Sequence, residues 1–253
     1  MTASLLKVQD LSKSFGRVIT ARQLNFEIQT GELTSVIGPN GAGKSTLINI
    51  LSGSISADAG HIFLQRREIT RLPTHRRVRL GLCRSFQVVN VFPELTVFEN
   101  VQIPVLARIG RARHFFRSLR GEPGVADQAM EVLERVNLSG RAQSLASELS
   151  HGDQRLLEVG IALAVKPKLL FLDEPTAGMN PLERAEILES IRRLSTSGET
   201  TFVIVEHDMD VVFALSDRVI VLHLGDIICD GKPDVVKEDQ QVRECYLGEE
   251  VAG

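Results

Sequence analysis

The sequence of 253 residues has few cysteines, no long apolar run and no low-complexity linker. Cys83, Cys229 and Cys245 lie far apart and lack the C-x-x-C spacing of zinc and redox sites, so we expect buried or inert thiols. No apolar run approaches the ~20 residues of a membrane helix, since even Leu156–Val165 is interrupted by Glu158. No basic leader precedes a long apolar stretch, and we therefore expect a chain that stays in the cytoplasm.

Charge is distributed unevenly along a chain whose net charge is only −3. Residues 66–120 contain twelve Arg against three Glu, a charge of +9, so the remainder carries −12. A basic stretch suits a phosphate backbone, yet this one lacks interleaved aromatics apart from Phe115 and Phe116, and the whole protein is acidic. We therefore expect no specific binding of nucleic acid.

The apolar pattern changes along the chain from antiparallel strands to a parallel sheet. Alternating segments separated by Gly-containing turns predict short antiparallel strands near residues 5–8, 24–28 and 61–64. Apolar runs at 33–37, 169–172 and 201–205 each lead through a loop into a helical pattern, which is typical of a parallel sheet. Helical spacing over 125–136 and 156–164 predicts a helical insertion, and Gly225-Asp226 predicts a hairpin.

A glycine-rich loop follows the first of these apolar runs and opens a helical pattern at residues 46–51. It fits the template G-x-x-x-x-G-K-[ST] at every fixed position. Its residues, all expected to contact nucleotide, are Gly38, Pro39, Asn40, Gly41, Ala42, Gly43, Lys44 and Ser45, followed by Thr46. Backbone N–H groups in such a loop curl around phosphate oxygens, Lys44 is predicted to reach the β/γ-phosphates, and Ser45 to bind Mg²⁺. A ligand-free strand-to-helix turn would not need the Lys-Ser pair.

Two carboxylates end the run at 169–172. Asp173 is predicted to orient Mg²⁺ and Glu174 to polarise an attacking water. Acidic residues at a strand end often only begin a solvated loop, but a phosphate loop elsewhere in the chain gives the pair a function. We expect an α/β P-loop NTPase (RecA-like) core, residues 1–88 and 165–253, with an N-terminal antiparallel β subdomain and an inserted α-helical subdomain at 89–164, all in one domain.

Beyond these two elements, the sequence resembles ABC ATPases over nearly its whole length. Leu149–Gln154 is similar to the family signature Leu-Ser-Gly-Gly-Gln, with His151 and Asp153 replacing a glycine and a glutamine. Ser150 and Gly152 keep the hydroxyl and the flexible backbone that the family directs at the γ-phosphate of a partner subunit. Ser150 followed by Asp153 also matches a helix cap, and both functions are compatible, since a capped helix N-terminus binds anions.

The resemblance also assigns isolated side chains. It implies that Phe15 stacks on adenine, that Gln87 links Mg²⁺ to the membrane domain, and that His207 contacts the γ-phosphate and the catalytic water. Taken singly, Phe15 would be a core residue, Gln87 a surface amide and His207 structural. Asn180 stands where the family usually has Asp, and we expect it mainly to cap a helix.

Variants within these motifs resemble the ATPases of branched-chain amino acid importers. They are Ser150–Gln154, Ala177–Pro181, Glu206–Met209 and Tyr246–Gly248. The resemblance implies hydrolysis of ATP with Mg²⁺ and a second ABC ATPase subunit, in a heterodimer or a homodimer. It also implies two membrane permease subunits, an extracytoplasmic solute-binding protein, and a peripheral position on the cytoplasmic face of the inner membrane.

Several alternatives remain open from the sequence. Two alternatives are also ABC transporter ATPases, those of urea or short-chain amide importers and those of lipopolysaccharide export. DNA-repair ABC ATPases insert a long coiled coil between the phosphate loop and the carboxylates, whereas Lys44 and Asp173 are 129 positions apart here. A cassette that only binds ATP would not need Glu174 and His207.

Arg108–Arg120, with five Arg and no acidic residue, is expected to seat the subunit against the permease and lipid headgroups.

Overall fold

The computed structural model describes residues 4–85, 91–110 and 124–250, the last four without their side chains. Its first sheet is antiparallel, with the order β2-β1-β4-β5. The strands are β1 Ser4–Phe15, β2 Val18–Gln29, β4 Ala59–Leu64 and β5 Arg67–Glu68. The predicted antiparallel strands are confirmed, but β1 and β2 are longer than expected. Their register shifts between Val8 and Leu11, where Asp10 has φ 49°, and such bulges break the alternation that the prediction used.

The second sheet has the order β10-β9-β3-β8-β7-β6 and is parallel except for β10. Its strands are β3 Thr34–Ile37, β6 Leu82–Arg84, β7 Leu169–Asp173, β8 Thr201–Val205, β9 Arg218–His223 and β10 Asp226–Gly231. Every residue of β3, β7 and β8 is buried, as expected for strands covered on both faces. The predicted hairpin joins β9 to β10, and Leu224 and Gly225 supply the positive φ that its tight turn requires.

Helices cover the second sheet and form the predicted insertion. They are α1 Lys44–Ser52, α2 Thr74–Arg79, α3 Val97–Arg108, α4 Val125–Arg135, α5 His151–Ala164, α6 Pro181–Thr196, α7 Met209–Leu215, α8 Pro233–Glu238 and α9 Gln240–Glu250. Helices α3, α4 and α5 pack on one another between β6 and β7 in chain order. Their fully buried Val101, Leu133 and Leu157 belong to one apolar cluster, which confirms the helical insertion. None of the helices in the described ranges has the length and apolar content that crossing a bilayer takes.

Some sequence features stay outside the described residues. Gln87 is among them, and so are residues 111–120 of the basic segment Arg108–Arg120, whereas Arg108 is described and donates to the side chain of Gln128. All three cysteines are unpaired thiols. Burial raises the pKa of the Cys83 thiol to about 12, so it stays protonated and unreactive at neutral pH.

The buried Arg77 of α2 forms hydrogen bonds to the end of α1. Arg77 is 2% exposed, and its Nη1 donates to the carbonyl oxygens of Ile50 and Leu51, both at 2.7 Å. Its Nε donates to Leu72 O and its Nη2 to Thr70 O, each at 2.8 Å. Burial lowers the pKa of the Arg77 guanidinium to about 10, which leaves it charged at neutral pH. Carbonyls at the C-terminal end of α1 are a favourable place for that charge.

Arg77→Gln should lower the free energy of unfolding by about 3 kcal/mol, because it removes the guanidinium's hydrogen bonds to four carbonyl oxygens in or beside the core. Urea denaturation followed by circular dichroism measures this loss. The neighbouring exposed Arg76 provides the matched control, and Arg76→Gln should change the free energy of unfolding by about 0.5 kcal/mol at most. Equal effects of the two substitutions would show that the buried bonds contribute little.

Candidate functional site

The carboxyl ends of three neighbouring strands bring the main predicted residues to one edge of the second sheet. Val205 at the end of β8 pairs with Val36 of β3 on one side and with Asp173 of β7 on the other. The loop that begins at Gly38 therefore starts at the same edge of the sheet as the chain that leaves β7 through Glu174, with the end of β8 between them. Ligands of open α/β sheets bind outside the carboxyl ends of the strands, so this edge is the candidate site.

The glycines of the phosphate loop are required for space as well as for conformation. Gly38 has φ 153°, and a Cβ there would lie 2.1 Å from the carbonyl oxygen of Leu222. Gly43 has φ 106°, and its Cβ would lie 2.2 Å from Thr20 O. Both distances are far below van der Waals contact. The loop thus fits between the backbones of β9 and β2 only with hydrogen at these two positions.

Lys44 and Ser45 begin α1, directly after the loop. Lys44 is buried, and its Nζ donates to the carbonyl oxygens of Gly38 and Pro39, the latter at 3.1 Å. The ammonium group therefore lies where the loop curves around it. Ser45 is exposed and Thr46 partly exposed, on the first turn of the helix, where backbone N–H groups and the helix dipole favour an anion.

Asp173 is paired with Arg84 of β6, a residue that no motif in the sequence indicates. Its buried carboxylate accepts a hydrogen bond from Arg84 Nη2 at 2.5 Å, and Arg84 Nη1 donates to Asn49 Oδ1 on α1 at 2.5 Å. The described residues contain no cluster of three metal-ligating side chains. Mg²⁺ is usually held by one or two protein oxygens together with water and phosphate, and the Ser45 hydroxyl and the Asp173 carboxylate are hard oxygen donors that fit such a site.

Glu174 and His207 lie within reach of each other. Glu174 Oε1 is 3.8 Å from His207 Nδ1, and the imidazole is 61% exposed. His207 follows the buried Glu206, whose carboxylate accepts from Thr176 N at 3.2 Å and from Thr176 Oγ1 at 2.7 Å. The fixed Glu206 holds the chain after β8 against the chain after β7. A carboxylate and an imidazole at this separation can together position a water molecule and accept its proton.

Two signature residues belong to the start of α5. Ser150 is its N-cap, and its Oγ accepts from Asp153 N at 3.1 Å, so the capping prediction is confirmed. Gly152 is buried against the start of α6, where an added Cβ would lie 3.4 Å from Glu183 Cγ. Asn180 caps α6 through bonds from the amides of residues 182 and 183, both at 3.0 Å, as predicted.

Phe15 ends β1 on the surface of the molecule. Its side chain is 50% exposed, and Lys13 Nζ lies 5.2 Å from the ring centroid. The interpretation of Phe15 as a core residue is therefore wrong. The cause is its position at the tip of the β1–β2 hairpin, beyond the part of the sheet that packs on α1. A ring exposed in this way is available to stack on a planar ligand.

Comparisons of the sequence with known families and proteins give consistent matches. The family model described as ABC transporter matches residues 21–177, and the one described as Branched-chain amino acid ATP-binding cassette transporter matches residues 227–252. The high-affinity branched-chain amino acid transport ATP-binding protein LivG of Escherichia coli strain K12 is 36% identical, over 98% of this chain and 100% of LivG. BraF of Pseudomonas aeruginosa, named for the same transport, is 35% identical over the same shares. The lipopolysaccharide export system ATP-binding protein LptB of Acidithiobacillus ferridurans is 34% identical over 98% of each chain.

Solved structures agree with these matches. The ADP conformation of an ATP-binding cassette of an ABC transporter superposes with a TM-score of 0.86 and 31% identity, over 98% of this chain and 100% of that one. A dimeric ATP-binding cassette in a post-hydrolysis state, bound to ADP and phosphate, gives a TM-score of 0.74 and 25% identity over 90% and 98% of the two chains.

Gly43→Ala should raise the Kd for Mg-ATP by about 100-fold or more, because the added methyl group clashes with Thr20 O and displaces the loop. Titration with a fluorescent ATP analogue measures the change. Gly41 is the matched control, since it also has a positive φ, of 80°, but no atom within 4 Å of the added Cβ. Gly41→Ala should add only about 1–2 kcal/mol of backbone strain to the loop, and its Kd for Mg-ATP should therefore rise less than that of Gly43→Ala. A similar Kd in the two variants would contradict the steric argument.

Proposed function

The chain belongs to the ABC transporter family as one of its ATP-hydrolysing subunits, and we propose that the transporter it energises imports branched-chain amino acids. Overall identity barely separates the relatives, since LivG and the lipopolysaccharide-export LptB stand at 36% and 34%. The observation that carries the proposal is the match of residues 227–252 to the branched-chain amino acid family model. Import of urea or short-chain amides and lipopolysaccharide export remain the alternatives to test.

We assign the nucleotide phosphates to residues 38–46, and adenine to the exposed ring of Phe15. Lys44, held inside the loop, would face the β/γ-phosphates, and Ser45 with Asp173 would hold Mg²⁺. When bound, Mg²⁺ neutralises charge that develops on the phosphate oxygens during transfer. Arg84 orients the Asp173 carboxylate and links it to α1 through the side chain of Asn49.

Water activation is assigned to the pair after β7 and β8. Glu174 would accept the proton of the attacking water, and His207, 3.8 Å away, would hold that water and contact the γ-phosphate. Asp173 and Glu174 are adjacent in the chain but have different surroundings, because Asp173 is paired with Arg84 and the Glu174 side chain is 27% exposed. Only Glu174 is therefore suited to meet a water molecule.

A second ABC ATPase subunit would complete each site. Ser150 and Gly152 lie at the capped start of α5, which is an anion-binding end of a helix, and we assign them to the γ-phosphate bound by the partner subunit. The dimeric post-hydrolysis cassette supports pairing of this kind. The partner is a similar chain in a heterodimer or a second copy in a homodimer.

The permease subunits are assigned to a cleft beside the helical insertion. This cleft has a volume of about 260 Å³ and is lined by residues that include Ser85, Pro104, Glu158 and Ile161. Residues of α2, β6, α3 and α5 line it, and we assign to Gln87 the link between the permease and the metal. Two permeases docked in this way place the subunit on the cytoplasmic face of the membrane, with a solute-binding protein acting through them from outside.

Glu174→Gln should retain ATP binding and lower hydrolysis by about 10²- to 10⁴-fold, the usual contribution of a positioned general base. Phosphate release and nucleotide titration measure the two effects separately. The exposed Glu189 on α6 provides a matched control, and Glu189→Gln should leave both unchanged. Hydrolysis by Glu174→Gln at the wild-type rate would overturn the assignment of the base.

The transported solute can be tested by reconstituting the subunit with its copurified permeases and solute-binding protein in liposomes. Leucine, isoleucine or valine should stimulate ATP hydrolysis, because transport couples solute delivery to turnover. Urea and short-chain amides serve as the comparison solutes. Stimulation by one of these alone, or copurification with a permease that requires no binding protein, would overturn the proposed substrate.

A further inference from the structure

Helix α5 carries a buried ion pair whose arginine contacts the backbone of the proposed catalytic residue. Arg155 and Glu158 are three positions apart on this helix, and both side chains are 5% exposed. Arg155 Nη1 donates to Glu158 Oε2 at 2.6 Å. Taking two charges out of water is costly, and a buried pair rarely increases stability over apolar residues of the same volume. Because the pair is not expected to stabilise the fold, the contacts that Arg155 makes beyond it indicate another function.

The second arm of the guanidinium contacts the backbone of the site. Arg155 Nη2 donates to the carbonyl oxygen of Asp173 at 2.8 Å and to that of Glu174 at 3.0 Å. One side chain thus binds the peptide groups on both sides of Glu174. The amide of Glu174 is held separately, by Val205 O at 2.9 Å.

The backbone of Glu174 has an unfavourable conformation that needs the hydrogen bonds described above. Its φ is 46°, in the left-handed region that residues other than glycine seldom adopt. Such a backbone persists only where the surrounding structure over-determines it, and it turns the side chain away from the direction an extended strand would give. The bonds from Arg155 are two of those that hold the backbone at Glu174 in this conformation.

We propose that Arg155 and Glu158 are positioning residues for ATP hydrolysis, which act by fixing the backbone on both sides of Glu174. The proposal rests on the assignment of Glu174 as the base under the proposed function. Arg155 supplies the bonds to the two carbonyls, and Glu158 neutralises and orients its guanidinium.

The chemistry of the pair determines which substitutions preserve it. The planar guanidinium bridges a carboxylate on one edge and two carbonyls on another, whereas an ammonium group is a single point that cannot hold the same geometry. Gln at position 158 keeps an acceptor for Arg155 Nη1, whereas Leu leaves the guanidinium buried without its partner. Arg155→Lys and Glu158→Leu should therefore impair positioning, and Glu158→Gln should preserve most of it.

The test is a double-mutant cycle between Arg155→Gln and Glu174→Gln, with kcat, the Kd for ATP and the melting temperature measured for each protein. In the wild-type background, Arg155→Gln should lower kcat by about 10- to 100-fold, as expected for a misplaced catalytic group, with Kd within about threefold. In the Glu174→Gln background the same substitution should lower the residual rate by less than about threefold, because residues that act as a unit are non-additive. Arg155→Lys, which keeps the charge, should give the same pattern with a smaller loss.

Two controls separate positioning from general damage. Arg77→Gln removes another buried guanidinium that binds carbonyls, and its effect on the rate should be equal in both backgrounds. Glu158→Gln should keep kcat within about fivefold, and Glu158→Leu should lose as much as Arg155→Gln. Losses from Arg155→Gln that multiply with those from Glu174→Gln would overturn this proposal alone. Wild-type hydrolysis by Glu174→Gln would overturn both this proposal and the base assignment.

Discussion

The parallel register of β3, β8 and β7 is the constraint on which the rest of the structure depends. Because Val205 pairs with both Val36 and Asp173, the three strands end at one level, and the segments that follow them emerge side by side. The strands are fully buried, so their ends are held by the core, while the loops beyond them are exposed to ligand. The chemistry of the subunit is thus carried by short loops on a rigid edge.

The two arginines at this edge are each paired with a carboxylate, and they reach the end of β7 from different parts of the chain. Arg84 approaches Asp173 from the side of α1, which joins the carboxylate to the helix that carries the phosphate loop. Arg155 approaches the same corner from the helical insertion and is balanced in turn by Glu158. The corner at Glu174 therefore receives contacts from both parts of the chain, so a shift of the insertion relative to the core would alter it.

Local signals made much of the site predictable. The phosphate loop, the carboxylates after β7 and the caps at Ser150 and Asn180 each depend on residues a few positions apart, which a sequence displays directly. Arg84 and Arg155 could not be found in this way, because their contacts with Asp173 span 89 and 18 positions of the chain. The exposure of Phe15 was missed for a related reason, since it depends on how far the hairpin extends past its packing partner.

The contacts of Gly38 and Gly43 determine which mutations the neighbouring strands tolerate. Leu222 and Thr20 face Gly38 and Gly43 with carbonyl oxygens, which every amino acid has, so replacing either side chain leaves the clearance as it is. An insertion or deletion in β9 or β2 would instead move a carbonyl by one residue. The clearance around the phosphate loop therefore depends on the lengths of β9 and β2 and not on the side chains at positions 222 and 20.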